Sequence, residues 1–183
     1  MSGAQTNVGI TEWARRIESA RATEIQLAAQ GFVRSLSQVL EKGVAFFVDY
    51  GFPQREYYHP QRKDGTLMCH YRHHAHADPF FLPGLQDITS HVDFSAMARA
   101  AREGGLEVAG FTSQAQFLVN CGITEVMSRT PAEDGAKFLP LANQANRLMS
   151  PAEMGELFKV IAFTRGFSQT LLGFGKGDRR SAL

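Results

Sequence analysis

The pattern of apolar positions is clearest in the first third of the chain, where it predicts a helix followed by a strand. From Thr23 onward, apolar residues recur at helical spacing and form one stripe: Ile25, Ala28, Ala29, Phe32, Leu36, Val39 and Leu40. Lys42 and Gly43 then indicate a helix end, because a cation favours the last turn and glycine favours the left-handed cap. The run VAFFVDYG follows and predicts a strand at 44–50 that is buried on both faces.

Further elements are predicted downstream. Strands are expected at 106–112 and 170–175, and helices over DFSAMARAAREGG, AQFLVNCG and SPAEMGELFKVIAFTRG. Asp93 or Ser95 can cap the first of these helices, and Ser150, Pro151 and Glu153 form a capping-box pattern before the last. Three strands among this many helices predict a thin, partly parallel α/β sheet, which resembles part of a larger fold.

Two stretches fall outside this pattern. Residues 1–22 are polar and mixed, and we interpret them as an N-terminal arm. Residues 51–91 are too long for an ordinary loop and are interpreted as an insertion or flap. Asp49 comes at the predicted carboxyl end of the first strand, where open parallel sheets bind ligands. Asp49 can therefore contact a substrate or cofactor, with a structural cap as the alternative.

Composition and charge exclude several classes of protein. The chain has 183 residues and a formal net charge of +1, so nothing favours a nucleic-acid interface. Its two cysteines, Cys69 and Cys121, are too few for a disulfide framework and are expected to be free thiols. No stretch is apolar for long enough to predict a membrane span.

The segment CHYRHHAHAD at 69–78 is rich in groups that can bind metal ions. It lacks a second, separated ligand pair, and Arg72 inside it would repel a cation, so we expect no metal there. A solvated histidine-rich loop and a set of histidines over an active-site cleft remain as alternatives. No phosphate-binding loop, dinucleotide motif or nucleophile elbow is present.

Four stretches together carry a family resemblance. They are VDYGFPQREYYHP, GTLMCHYRHHAHADPFFLPGLQDITSHVDF, FTSQAQFLVNCGI and SPAEMGELFKVIA. In this order they resemble the C-terminal half of the S-adenosyl-methionine (SAM)-dependent methyltransferase family that includes the mitochondrial complex I assembly arginine methyltransferase and its bacterial relatives. The resemblance implies an α/β fold: the C-terminal half of a class I, Rossmann-like methyltransferase, with a partly parallel sheet ending in an antiparallel strand pair.

The resemblance also implies what the chain lacks. The family's glycine-rich cofactor loop precedes these motifs and does not occur here, so residues 23–183 are expected to be the C-terminal portion of a methyltransferase domain. SAM would then be bound mainly by an N-terminal half, and the isolated chain would be inactive. The strand at 44–50 would leave an apolar surface open where the fourth strand of the full fold lies.

The implied chemistry is methylation of a protein nitrogen, with arginine as the acceptor. On the family motifs, Asp49 matches the D of D-Y-G, Asp87 matches the D of P-G-x-x-D-[IL]-T, and His74 matches a histidine before that motif. These three residues are the candidate catalytic groups, and His74 and Asp87 are expected to face the acceptor while His73 and His76 point to solvent. Candidate substrate-binding residues beside them are Tyr50, Gly51, His70 and Thr89.

Two other functions remain open. The chain can be a protein-interaction or dimerisation fragment without catalysis of its own, or a metal-dependent enzyme that uses the histidine-rich segment. The partners expected from the resemblance are the N-terminal half, a protein substrate and a second copy of the chain. The expected location is the bacterial cytoplasm.

Overall fold

The computed structural model describes residues 22–183, and these divide into two compact units. The hairpin unit contains residues 22–25 and 55–91, and the sheet unit contains residues 26–54 and 92–183. The predicted N-terminal arm lies outside the described residues, apart from Ala22.

The elements are as follows, in chain order. The strands are β1 (Gly43–Phe52), β2 (Met68–Tyr71), β3 (His74–His76), β4 (Asp87–Thr89), β5 (Val92–Asp93), β6 (Glu107–Ser113) and β7 (Phe158–Arg165). The α-helices are α1 (Leu27–Val39), α2 (Gln54–Tyr57), α3 (Phe94–Glu103), α4 (Gln114–Asn120), α5 (Ile123–Ser128) and α6 (Gly135–Met149). Two 3-10 helices span Leu172–Phe174 and Arg180–Ala182. None of the helices within residues 22–183 is both long enough and apolar enough to cross a membrane.

The sheet unit is built on a four-stranded sheet with the order β5-β1-β7-β6. β7 is antiparallel to both of its neighbours, so β1 and β6 run in the same direction. β5 adds a short parallel pairing with Gly51 and Phe52. The fold-class prediction is confirmed, because this is a mixed α/β unit whose partly parallel sheet ends in antiparallel strands.

Apolar side chains pack on both faces of this sheet, as the alternation along β7 requires. Ile161 and Phe163 contact a cluster that also contains Phe94, Phe111 and Val33. The alternate residues of β7 contact the other cluster, which consists of Val160, Ala162 and Phe174. α3 begins directly after β5, where the Ala96 amide donates to the Asp93 carboxylate at 3.0 Å and so caps the helix as predicted.

The two outer edges of the sheet differ. The edge of β6 is covered by the last residues of the chain: the Arg179 amide donates to the Phe111 carbonyl at 2.6 Å, and the Thr112 hydroxyl donates to the Gly177 carbonyl at 2.8 Å. β1 pairs on its outer side only at Gly51 and Phe52, so among the described residues its edge at 43–50 has no strand partner. The covered edge is protected from pairing with another chain, and the other is not.

β1 is also less buried than its run of apolar residues predicts. Phe46 is 49% exposed and Val48 is 52% exposed, so burial on both faces is wrong for this strand. Phe46 and Val48 lie two residues apart and so form a half-exposed apolar surface on one face of β1. Phe46 keeps an aromatic contact on its inner side, stacked on Phe174 at 6.4 Å between ring centroids.

Two predictions near the C-terminus are wrong. The segment 158–165 is the strand β7 and not a helix, and 172–174 is a 3-10 helix and not a strand. The capping-box residues instead close turns, since the amides of Glu153 and Gly155 both donate to the Ser150 carbonyl. The run FKVIAFTR then supplies β-branched and aromatic residues that fill both faces of the sheet.

The predicted apolar stripe on α1 is partly wrong as well. Ala29, Leu36 and Leu40 do pack on the core. The buried centre of the helix is Val33, whereas Phe32 is 58% and Val39 is 74% exposed. The face of α1 that packs on the sheet is therefore displaced from the face that the spacing alone predicts.

The hairpin unit contains a three-stranded antiparallel sheet with the order β3-β2-β4. β2 and β3 are joined by the two-residue turn Arg72–His73, and both residues have positive φ (47° and 69°). Two-residue turns whose twist matches that of a hairpin require positive φ at both residues, although glycine and asparagine adopt positive φ more easily. The Arg72 guanidinium lies 5.4 Å from the centre of the Tyr71 ring, a cation–π contact beside the turn.

Candidate functional site

The candidate residues divide between the two units. Asp49, Tyr50 and Gly51 are on β1 of the sheet unit. The remaining candidates are in the hairpin unit: His70, His74, Asp87 and Thr89.

Asp49 lies inside β1 and not at its end, because the strand continues to Phe52. Its exposed carboxylate accepts a hydrogen bond from the Tyr50 amide at 2.8 Å. Neighbouring side chains of a strand point to opposite faces, so Asp49 and Tyr50 are not brought together. The Tyr50 ring packs edge-on against Phe158 at 5.5 Å between centroids.

Gly51 has a structural reason to be glycine. A Cβ at this position would overlap the Val92 carbonyl and amide and would come 2.9 Å from the Phe94 ring. The residue is buried where β5 joins the sheet. The absence of a side chain therefore allows β5, and with it the cap of α3, to approach β1 closely.

Replacing Gly51 by alanine is expected to destabilise the sheet unit by about 1–3 kcal/mol, because the added methyl group has no space. The matched control is Gly31→Ala on α1, where nothing lies within 4 Å of the position that a Cβ would take and alanine favours the helix. Urea unfolding of both variants measures the difference. An unchanged unfolding midpoint for Gly51→Ala, with weakened substrate binding, would instead support a direct contact with substrate.

Three of the four candidates in the hairpin unit share one face. His70 is directly opposite Asp87 in the β2–β4 pairing, and Met68 is opposite Thr89. Directly opposed residues, and residues two apart on one strand, project from the same side of a sheet. His70 and Asp87 are both exposed, and the Thr89 hydroxyl donates to the Met68 carbonyl at 3.1 Å. We call the set His70, Asp87 and Thr89 the Asp87 face.

His74 lies on the other face of the same sheet. It pairs with Tyr71, whereas His70 pairs with Ala75 and Asp87. The expectation that His74 and Asp87 face one acceptor is therefore wrong. The two-residue turn places His74 opposite Tyr71, and Tyr71 projects from the face opposite to that of His70 and Asp87.

His76 does not point freely to solvent either. Its ring packs edge-on against Phe81 at 5.2 Å between centroids, and its Nδ1 accepts from the Asp78 amide at 3.3 Å. His73 is exposed in the turn, as predicted. The histidine-rich segment is thus a hairpin whose side chains divide between two faces and a turn.

The hairpin unit also contains a half-buried polar centre that the sequence does not reveal, the carboxylate of Glu24. It accepts hydrogen bonds from the amides of Thr66 (2.9 Å) and Leu67 (2.8 Å), and from the hydroxyls of Thr66 (3.0 Å) and Tyr57 (3.1 Å). Partial burial acts to raise the pKa of Glu24, but these hydrogen bonds outweigh it and hold the pKa below its ordinary value. A lone glutamate before a helix gives no signal in sequence, because most of its partners follow about 40 residues later.

A second carboxylate with a lowered pKa lies in the sheet unit. Burial acts to raise the pKa of Glu156, but the hydrogen bonds and positive charge of Arg179, with smaller contributions from Ser113 and Lys159, outweigh that effect. The guanidinium is bidentate, with distances of 3.0 and 3.1 Å. This pair attaches the C-terminal residues to the turn before β7.

Within residues 22–183, no group of three or more His, Cys, Asp or Glu side chains has a geometry that could hold a metal ion. Cys69 is buried in β2, and Cys121 is exposed at the C-cap of α4. Partial desolvation nevertheless raises the pKa of the Cys121 thiol.

Three strand-to-helix junctions of the sheet unit differ from the usual binding site of a nucleoside cofactor. A nucleoside cofactor in a Rossmann-like sheet is held where a strand passes through a glycine turn into a helix. Where β1, β5 and β6 pass into helices, the residues at the junction are Pro53, Asp93 and Ser113 and not glycine. The side chains of Asp93 and Ser113 cap the helices that follow them. These three junctions therefore lack the glycine turn that would let the backbone approach a cofactor closely.

Comparison with known proteins shows the family. Residues 2–112 match the model of a family of S-adenosyl-L-methionine-dependent methyltransferases. The chain is 33% identical over 153 residues to the mitochondrial protein arginine methyltransferase NDUFAF7 of Mus musculus, and 33% identical over 135 residues to that of Homo sapiens. These matches cover 81% and 71% of this chain, but 33% and 28% of the relatives. The chain belongs to this methyltransferase family.

Two crystal structures of Burkholderia thailandensis proteins have the same fold. One, in its native form, is 53% identical with a TM-score of 0.89, and the match covers 94% of this chain and 48% of that one. The other, bound to S-adenosyl-homocysteine (SAH), is 51% identical with a TM-score of 0.89, and the match covers 100% and 47%. The chain thus spans about a third of the length of the curated relatives and about half that of the solved chains.

Proposed function

We propose that this chain is the acceptor-binding part of a SAM-dependent protein arginine methyltransferase. The observation that carries the proposal is the match, over the whole of this chain, to a protein that is 51% identical and was crystallised with SAH, the product that SAM becomes on losing its methyl group. The choice of arginine is supported by the curated relatives, which are named protein arginine methyltransferases at 33% identity.

The Asp87 face supplies the chemistry for an arginine acceptor. A guanidinium presents parallel N–H groups, and a carboxylate accepts two of them in a bidentate pair. Asp87 is exposed, and none of the described side chains forms an ion pair with it. His70, directly opposite, offers ring nitrogens on the same face. We assign to Asp87 the binding and orientation of the guanidinium, and to His70 and Thr89 a place beside it.

We further propose that the cofactor is bound mainly by a completing segment, meaning the counterpart of the half of the solved chains that this chain does not match. The proposal is supported by the strand-to-helix junctions, which lack a glycine turn, and by the match to only 47–48% of the solved chains. The completing segment, on the same polypeptide or another, would pair with the open edge of β1. A second copy of the chain is the competing partner for that edge.

The chain without a completing segment is expected to bind SAH no more tightly than about millimolar, because the binding groups for the nucleoside lie elsewhere. Titration calorimetry measures this, and transfer of labelled methyl groups from SAM to an arginine peptide measures activity with the completing segment present. A matched peptide with lysine in place of arginine is the control for the acceptor. Micromolar affinity of the chain alone would contradict the division of roles, and equal methylation of both peptides would contradict the choice of arginine.

A further inference from the structure

Glu24 has the contacts of a residue that holds a site in place. Two consecutive backbone amides, those of Thr66 and Leu67, converge on its carboxylate, and two hydroxyl groups add further hydrogen bonds. Tyr57, which supplies one hydroxyl, is only 2% exposed. The carboxylate is thus surrounded by donors, which is the environment that favours its charged form.

The loop next to Glu24 is shaped around the carboxylate. Gly65 has φ of 75°, a left-handed conformation that favours glycine, and a Cβ there would overlap the Glu24 carboxylate. The segment before Glu24 runs beside the same loop, since the Ala22 amide donates to the Lys63 carbonyl at 3.0 Å. Residues 63–67 therefore have a defined position relative to residues 22–24.

These contacts reach both strands that form the Asp87 face. Leu67, held by its amide, immediately precedes β2. The Thr66 hydroxyl donates to Glu24 and accepts from the His91 amide at 3.0 Å, two residues after the end of β4. The start of β2 and the end of β4 are adjacent in an antiparallel pair, so one carboxylate and one hydroxyl connect the two strands at the same end.

Such an anchor matters because the pairing itself is short. β2 and β4 are joined by only three residue pairs, from Met68–Thr89 to His70–Asp87. A slip of one residue would move every side chain of a strand to the other face, so Asp87 shares a face with His70 only in this register. The anchor adds to the hydrogen bond between Thr89 and Met68 a second contact that favours the register with Asp87 opposite His70.

We propose that Glu24 is a positioning residue for the acceptor site: it fixes the register of β2 against β4 and so places Asp87 opposite His70. The proposal rests on the proposed function for its kinetic consequences, and on the hydrogen bonds of the hairpin unit alone for its structural ones. Glu24 itself is not expected to touch the substrate.

The first test is amide hydrogen exchange of the full chain, measured by NMR on the unsubstituted protein and on Glu24→Gln. Glutamine has no charge and one acceptor oxygen in place of two, so its NH2 group faces the Thr66 amide or the hydroxyls that now donate to Oε2. The exchange of β2 and β4 amides should therefore accelerate at least about tenfold, as local opening requires. The amides of β6 and β7 should be unaffected. Glu56→Gln, the same change at an exposed glutamate of the same unit, is the control.

Two further variants keep the proposal testable if Glu24→Gln fails to fold. Thr66→Val keeps the backbone amides on Glu24 but removes the hydroxyl link to His91, so it should loosen β4 more than β2. Glu24→Asp keeps the charge with a shorter reach and should restore part of the protection. Unchanged exchange in β2 and β4 for both Glu24→Gln and Thr66→Val would overturn the proposal.

The second test is kinetic and uses the chain with its completing segment. Glu24→Gln should lower kcat/KM for an arginine peptide about tenfold, since a misplaced binding group costs at least that much, while the Kd for SAH changes less than about twofold. An equal loss of SAH affinity would indicate general unfolding and overturn a positioning role. If the unsubstituted protein methylates no arginine peptide, the proposed function fails, and the exchange experiment still decides whether Glu24 fixes the register.

Discussion

Replacing Asp87 by asparagine is expected to lower kcat/KM for methylation of an arginine peptide by about 10- to 150-fold, because hydrogen bonds to a charged group contribute about 1.5–3 kcal/mol. The asparagine side chain keeps the shape of the carboxylate but offers the guanidinium one acceptor in place of two. Affinity for SAH should not change, since the cofactor is proposed to contact the completing segment. The measurements are steady-state methyl transfer and calorimetry on the same preparation.

Two controls decide what a loss of activity means. Asp64→Asn makes the same charge change at another exposed carboxylate of the hairpin unit and should leave methyl transfer within about twofold of the unsubstituted protein. His74→Ala alters the opposite face of the β3-β2-β4 sheet and should be equally mild. If His74→Ala abolishes activity and Asp87→Asn does not, the acceptor contacts the face of His74.

The stability of the Asp87 variant is the remaining check on the assignment. Asp87 is exposed, so its substitution should change the free energy of unfolding by less than about 0.5 kcal/mol. Loss of folding would show that the carboxylate has a structural role, and its place in the acceptor site would then be wrong.

The parts of the fold that were predicted correctly have strong local signals. β1 and β6 each come directly after a helix end that glycine marks, at Gly43 and at Gly104–Gly105, and α3 begins at a residue whose side chain caps it. Such features depend on residues within a few positions of one another, and sequence displays them directly. The family resemblance added the class of sheet, which three strands alone do not define.

The errors near the C-terminus have a different cause. The pattern Ser150, Pro151, Glu153 predicts a helix start, but Gly155 is buried where a Cβ would overlap the Met149 and Ser150 carbonyls. A chain this tightly turned reverses direction instead of continuing as a helix. The following apolar run is compatible with a helix or a strand by composition, and only the space between β1 and β6 decides for a strand.

The sequence indicates candidate site residues but not their arrangement. Asp87 and His70 are both candidates from sequence, yet which histidine shares a face with Asp87 depends on the turn at Arg72–His73 and on the β2–β4 register. Glu24 was not identified, because its role depends on hydrogen bonds from the amides of Thr66 and Leu67, which only the folded chain brings near its carboxylate. Long-range polar contacts of this kind leave no periodic pattern in a single sequence.

The chain without a completing segment is expected to self-associate through β1 at concentrations on the order of tens of micromolar, in the range of weak specific contacts. The reason is the contrast between the two edges of the sheet. The edge of β6 is covered by Gly177 and Arg179, whereas that of β1 lacks a strand partner among the described residues over 43–50. Unpaired backbone beside half-exposed Phe46 and Val48 is a template for another strand.

Val48→Lys should shift the chain to a monomer in light scattering, because a charge on an edge strand opposes pairing. Val39→Lys is the matched control: it makes the same change at a residue that is 74% exposed, but on α1, and should leave association unchanged. The hairpin unit offers a competing apolar surface at Phe80, which is 83% exposed. If Phe80→Lys yields a monomer and Val48→Lys does not, the association surface lies in the hairpin unit. A monodisperse monomer of the unsubstituted chain would contradict an exposed pairing edge on β1.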